Sequence, residues 1–127
     1  MGKQKEGSLQ ERIQKLIERR GGYCKKNWGN MTSEPGVADI TACYKGLYLA
    51  IEVKEGNNTP SPQQGIHARN VWKAGGVCIV VWDIKTVETV LIHIDSLLLC
   101  NYDIGSINFN LKTIFLPINK IDDGTRW

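Results

Sequence analysis

Leu9, Ile13, Leu16 and Ile17 recur at helical spacing and predict an amphipathic helix over about residues 9–20. Ser8 and Glu11 read as an S-x-x-E capping box at its start, and Gly21-Gly22 ends the pattern. The period then shortens. Residues 23–28 form a plausible strand, 29–36 a polar loop, and 38–44 a strand that turns at Lys45-Gly46 into a second strand over 47–54, so the pair reads as a hairpin. After a Gly-Asn-Asn-Thr-Pro loop, Ser61-Pro62-Gln63-Gln64 supplies an N-cap serine, a proline at the first helical position and a glutamine at the third. A second helix is therefore expected over 62–73. Behind Gly75-Gly76, residues 77–82 are apolar at every position, as in a strand covered on both faces, and are expected at the centre of the sheet. Residues 87–99 are ambiguous by periodicity and are read as helix, and 112–118 as a last edge strand. The expected fold is α/β, a single domain over 1–127 with an αβββαβ core over about 9–82. One mixed sheet is flanked by helices, and the crossover between the strands at 47–54 and 77–82 should be right-handed.

Composition supports a packed core. At 127 residues and 42% hydrophobic, the chain is too apolar for disorder and long enough to need neither disulfides nor a structural metal. The net charge of +3 hides an asymmetry: residues 1–30 carry eight basic and three acidic side chains, and the remainder eight and ten. A basic segment implies a polyanionic partner, either nucleic acid or an anionic membrane surface. The longest nearly uncharged stretch, 89–100, is interrupted by His93 and Asp95 and is too short to span a bilayer. Cys24, Cys43, Cys78 and Cys100 show no metal-ligand spacing, and the first ten residues lack an apolar signal core. A reduced, cytoplasmic protein is expected, with Cys24, Cys43 and Cys78 as buried structural thiols.

The hairpin carries the candidate chemistry. A two-residue turn at Lys45-Gly46 pairs Tyr44 with Leu47 and sets Asp39 opposite Glu52, with Lys54 on the same side two residues on. Two opposed carboxylates repel, and a divalent cation would relieve that repulsion while leaving positions for water and phosphate. Other readings stay open at this point. Asp39 could cap a loop, Glu52 and Lys54 could be an edge-strand charge pair, and a slip of one residue would put the carboxylates on opposite faces.

The order G-V-A-D-I, I-E-V-K, S-P-Q-Q and G-G-V-C-I-V-V, with twelve residues between Asp39 and Glu52, resembles the VRR-NUC branch of the PD-(D/E)XK nuclease superfamily. The similarity runs over about residues 9–82. It implies a restriction-endonuclease-like core in which Asp39, Glu52 and the main-chain carbonyl of Val53 hold Mg²⁺, with Mn²⁺ able to substitute. Lys54 would orient or help deprotonate the attacking water, and Gln64 matches the family's glutamine on the second helix, where it also completes a capping box with Ser61. Ala38 stands where the family has proline. The superfamily often adds an acid on the first helix. Glu11 lies opposite the buried stripe, Gln10 sits at its edge, and Glu6 is the candidate if the helix begins earlier, with Gly7 counting against that start.

For DNA contact the sequence offers Arg12, Lys15, Arg19, Arg20, Lys25 and Lys26, with Arg69 and Lys73 one turn apart on the second helix. Such residues give affinity without sequence information, and any one of them reads equally as part of a solvated face. Trp28 and Trp72 are readable as stacking platforms or as core, and His67 and His93 as structural or exposed. The resemblance implies a metal-dependent, structure-selective DNA endonuclease of a bacterial or phage-infected cell. Stand-alone members of this size resemble Holliday junction resolvases, which implies branched DNA as partner and a homodimer, with no membrane and no organic cofactor. The alternatives are a non-catalytic nucleic-acid-binding module on the same fold and a scaffold that makes no DNA contact.

Overall fold

A computed structural model of the chain describes residues 6–27 and 37–115, with side chains for 7–27 and 37–112. The turn at Lys45-Gly46 has positive φ at both positions, 53° and 87°. That is the hairpin geometry whose twist matches the flanking strands, and glycine takes the second position without strain. It joins β2 (Ile40–Tyr44) to β3 (Leu47–Val53), with Tyr44 opposite Leu47 and Ile40 opposite Ile51. The expected register is therefore the observed one. β1 (Tyr23–Lys26) pairs antiparallel with β2, Tyr23 opposite Cys43 and Lys25 opposite Thr41. β4 (Val77–Val81) pairs parallel with β3, giving a mixed sheet in the order β1-β2-β3-β4.

β4 is thus an edge strand among the described residues and not the sheet centre. Its five positions are nonetheless all buried. Helices contact it from α2 (Pro62–Lys73), α3 (Ile84–Leu99) and α4 (Ile104–Phe115), and burial by helices leaves the same all-apolar signature as a central position.

Alternation sorts the sheet into two faces. Ile40, Ala42 and Tyr44 share one face with Leu47, Leu49, Ile51 and Val53, all of them buried. α1 (Glu6–Arg19) packs there through Leu9, Ile13, Leu16 and Ile17. It lies so close that a Cβ on Gly22 would stand 2.6 Å from Ile17 Cγ2 and 3.1 Å from the Tyr44 ring. α3 is fastened to the same side by Asp95, which accepts from Tyr44 Oη at 2.9 Å, Arg20 at 2.8 Å and Lys45 at 2.7 Å. α2 covers β3 and β4 on the opposite face, where Trp72 Nε1 donates to the Cys78 carbonyl at 3.0 Å.

Four further expectations need correction. α1 begins at Glu6 and includes Gly7, so Ser8 and Glu11 lie inside the helix and are not its N-terminal cap. Cys43 is exposed, because alternation turns it away from the face that buries Ala42 and Tyr44; Cys24 and Cys78 are buried as expected. Arg20, grouped with the basic residues offered for DNA contact, is ion-paired with Asp95. Residues 112–115 close α4 and are not an edge strand, while 116–118 lie outside the described residues. Asp103 accepts from the Ser106 amide at 2.7 Å at the start of α4, and Ile107 and Leu111, four apart, are fully buried. No described helix is long and apolar enough to cross a membrane.

Candidate active site

Asp39 immediately precedes β2, so the hairpin register carries it to the position facing Glu52. Its Oδ2 accepts from the Val53 amide at 2.8 Å, which ties the carboxylate to the far end of β3. Asn27 secures the segment from the other side, its amide donating to the Asp39 carbonyl and its Nδ2 to the Ala38 carbonyl, both at 2.7 Å. Ala38, where proline was expected, is buried and held by this bond.

Glu52 is only 5% exposed. Its Oε2 receives Lys54 Nζ at 3.2 Å and the Gln64 amide Nε2. Its Oε1 is enclosed and has no hydrogen-bond partner. Burial, and then the charge of Asp39, push the Glu52 carboxyl up to about 7 against the opposing pull of Lys54. The same burial, with Glu52 nearby, pushes the Cys78 thiol up to about 12, so that cysteine is inert packing.

Gln64 completes the capping box and also bonds to Glu52. Its Oε1 accepts from the Ser61 amide at 2.8 Å while Ser61 Oγ accepts from the Gln64 amide at 3.2 Å, a complete capping box, and Nε2 remains free to hold Glu52. The amide has two ends, and the cap uses only one.

Asp39, Glu52, Lys54 and Gln64 therefore meet at one end of the sheet. Among the described residues no group of three or more His, Cys, Asp or Glu side chains is clustered, so two carboxylates are the whole acidic complement there. An enclosed carboxylate oxygen with no donor is an unmet electrostatic demand in a low-dielectric site. Two hard oxygen donors, with the Val53 carbonyl adjoining, suit a divalent cation that keeps several of its waters.

The remaining candidates separate. α1 starts at Glu6, whose side chain lies outside the described ones. Glu11 is exposed and lines a cleft of about 340 Å³ with Gln14, Lys25 and Lys26. Gln10, at the stripe's edge, is buried with Oε1 unpartnered. Arg69 is half-buried and Lys73 exposed on α2, and neither is bonded to the four site residues. Trp72 is core, and Trp28 lies outside the described residues. His93 pairs with Asn110 at 3.1 Å, and His67 lines a pocket beside Tyr48, a residue that the sequence reading did not single out.

No protein-family profile matches the sequence, and no curated protein matches it. Among solved structures, the chain is similar to one described as a VRR_NUC domain, at 28% identity and a TM-score of 0.59, over 69% of this chain and 95% of that one. It is also similar to Archaeoglobus fulgidus Hjc, a Holliday junction resolvase from an archaeal hyperthermophile, at 20% identity and a TM-score of 0.50, over 61% of this chain and 67% of that one. The second likeness speaks to fold. With the order of motifs from Asp39 through Gly76 read from the sequence, the topology makes this chain similar to a VRR_NUC domain, with a restriction-endonuclease-like α/β core.

Proposed function

We propose that the chain is a metal-dependent, structure-selective endodeoxyribonuclease that hydrolyses phosphodiester bonds by water attack, acting on branched DNA such as a Holliday junction. The observation that carries the reading is the enclosed Glu52 carboxylate, held by Lys54 and Gln64 on one oxygen and left without a donor on the other, beside an Asp39 locked to Val53. In this reading Asp39, Glu52 and the Val53 carbonyl hold Mg²⁺ or Mn²⁺, which when bound supplies a Lewis acid for the phosphate and a lowered pKa for the attacking water. Lys54, largely buried and 3.2 Å from Glu52, keeps a cation at the point where charge builds on the phosphoryl oxygens. Gln64 fixes the Glu52 rotamer. Lys25, Lys26, Arg69 and Lys73 are proposed to contact the DNA backbone, whose phosphates attract such side chains whatever the sequence.

Two neighbours with nuclease names support this reading: a VRR_NUC domain and a Holliday junction resolvase. One small domain cutting two strands symmetrically needs a second copy, so a homodimer belongs to the proposal. The deciding experiment incubates the protein with Mg²⁺ or Mn²⁺ on matched linear, flapped, single-stranded and four-way-junction DNA, beside Asp39→Ala and Lys54→Ala. Loss of cutting with retained binding is the expected result. Equal cutting by the variants removes the catalytic assignment, and binding without cutting by the native protein leaves a nucleic-acid-binding module. Sizing at micromolar concentration, free and on junction DNA, tests the dimer, and a monomer in both states overturns it.

A further inference from the structure

From Glu52 toward the hairpin turn, the α2 side of the sheet continues through Ala50 to Tyr48, with Thr41 and Cys43 as their partners on β2. β1 extends the rows with Lys25 opposite Thr41 and Tyr23 opposite Cys43. Tyr23, Lys25, Cys43 and Tyr48 are exposed and Thr41 is half-buried, so the side that carries the carboxylates is open over β1 and β2 and at Tyr48, while Ala50 between Tyr48 and Glu52 is covered. None of these strand positions is acidic short of Asp39 and Glu52, and α2 has no acidic residue.

Tyr48, 45% exposed, forms one wall of a pocket of about 280 Å³ whose other walls are His67, Asn70, Val71, Ala74 and Gly76. The ring is held in place by close packing. A Cβ on Gly76 would stand 2.9 Å from Tyr48 Cδ2 and 2.9 Å from Val71 Cγ1, so only glycine lets the tyrosine lie against the start of β4. The pocket is apolar in its body and polar at two points, the Asn70 amide and the His67 ring. His67 Nε2 is enclosed without a hydrogen-bond partner.

We propose that this pocket receives one nucleobase of the DNA strand whose backbone passes over Asp39 and Glu52. The proposal rests on the reading of the carboxylates as a DNA-cutting site and adds a base-binding subsite to it. Distance supports it: four residues along β3 at ~3.3 Å each separate Tyr48 from Glu52 by ~13 Å. At ~3.4 Å of duplex axis per nucleotide that is at most about four nucleotides from the cut phosphate, and fewer where the strand is extended. Chemistry supports it too, because a fixed, half-exposed aromatic ring with apolar walls stacks any base. A cavity of ~150 Å³ already holds benzene, so this pocket has room for a base. Lys25, on the same open face, supplies the charge that draws the backbone across.

The test is an abasic scan along one strand of the preferred DNA, with binding measured in Ca²⁺ so that no cutting occurs, for the native protein, Tyr48→Ala, Tyr48→Phe and Asn70→Ala. The native protein should lose roughly tenfold in affinity, the scale of one base–aromatic stack, at a single position within about four nucleotides of the cut. Tyr48→Ala should bind the abasic and intact DNAs equally, Tyr48→Phe should keep the penalty, and Asn70→Ala should reduce it. A full penalty in Tyr48→Ala, or none at any position in the native protein, overturns the proposal. Base-dependent binding by a protein that cuts nothing would uphold the subsite and remove the nuclease reading; normal cutting with no abasic effect would do the reverse. Cys43, beside Tyr48 in the register, provides an independent check with exposed Cys100 as reference. DNA should slow alkylation of Cys43 alone. Slowing that depends on protein concentration without DNA would mean that a second copy covers the face, and would overturn the proposal.

Discussion

Gln64 holds Glu52 from the first turn of α2: its Nε2 donates to Glu52 Oε2 while its Oε1 accepts from the Ser61 amide. The start of the helix and the position of the buried carboxylate are thereby one mechanical unit. Gln64→Ala removes both bonds and should cost about 1–2 kcal/mol in chemical denaturation, the scale of a lost cap and one hydrogen bond to a charged group. Gln64→Glu keeps an acceptor for Ser61 but sets a third carboxylate against Glu52. Its cutting rate should fall at least about tenfold at neutral pH while the circular dichroism spectrum stays native.

Glu52 should make the metal-free protein less stable as pH rises. Its folded value, about 7, lies above the ordinary carboxylate range, so the native state binds the extra proton between about pH 4.5 and 7. Stability therefore declines across that window. Glu52→Gln should abolish the decline and raise the melting temperature by about 3–8 °C at pH 7.5 in EDTA, with little gain at pH 4.5. An unchanged pH profile would show that burial of the charge is not felt.

Asp95 acts in the opposite sense at the other end of the sheet. Burial pushes its carboxyl up, but hydrogen bonds from Lys45, Arg20 and Tyr44 outweigh this and hold it below the usual range. Its stabilisation is complete above the ordinary carboxylate pKa and is lost as pH falls through the lowered folded value. Asp95→Asn should flatten that acid limb of the stability curve. Tyr44→Phe, which removes the hydroxyl that donates to Asp95 and accepts from Arg20 Nε on a fully buried ring, should cost about 1.5–3 kcal/mol at neutral pH.

α4 should prove part of the core. Ile107 and Leu111 are completely buried, and Asn108 Nδ2 donates to the Gly76 carbonyl at 2.6 Å, which fastens the helix beside β4. Ile107→Ala and Leu111→Ala should each lower unfolding free energy by about 2–5 kcal/mol, the range for truncating large buried aliphatics. Values near zero in urea denaturation would mean that α4 is a loosely attached tail.

Much of this arrangement was legible in the sequence because local chemistry dictates it. Two turn residues that accept positive φ, Lys45 and Gly46, set the register that brings Asp39 against Glu52. Ser61, Pro62 and Gln64 fix the first turn of α2 through bonds that span three residues. The stripe of Leu9, Ile13, Leu16 and Ile17 sets the face of α1 that is buried. Each of these signals needs only neighbours within one turn or one hairpin.

Tertiary structure alone decided what depends on residues far apart in the chain. An all-apolar run reports burial and not position in the sheet, so β4 read as central although helices cover it at an edge. Periodicity over a short apolar segment does not separate helix from strand, and the packing of Ile107 and Leu111 settled α4. The pairing of Arg20 with Asp95 across 75 residues, the exposure of Cys43, the lone Oε1 of Glu52 and the pocket beside Tyr48 all arise where separate elements meet. Sequence pattern determined which side chains share a face, because that follows from backbone period. Which faces are covered, and which polar atoms are left without partners, was set by the docking of α1, α2 and α3 on the sheet.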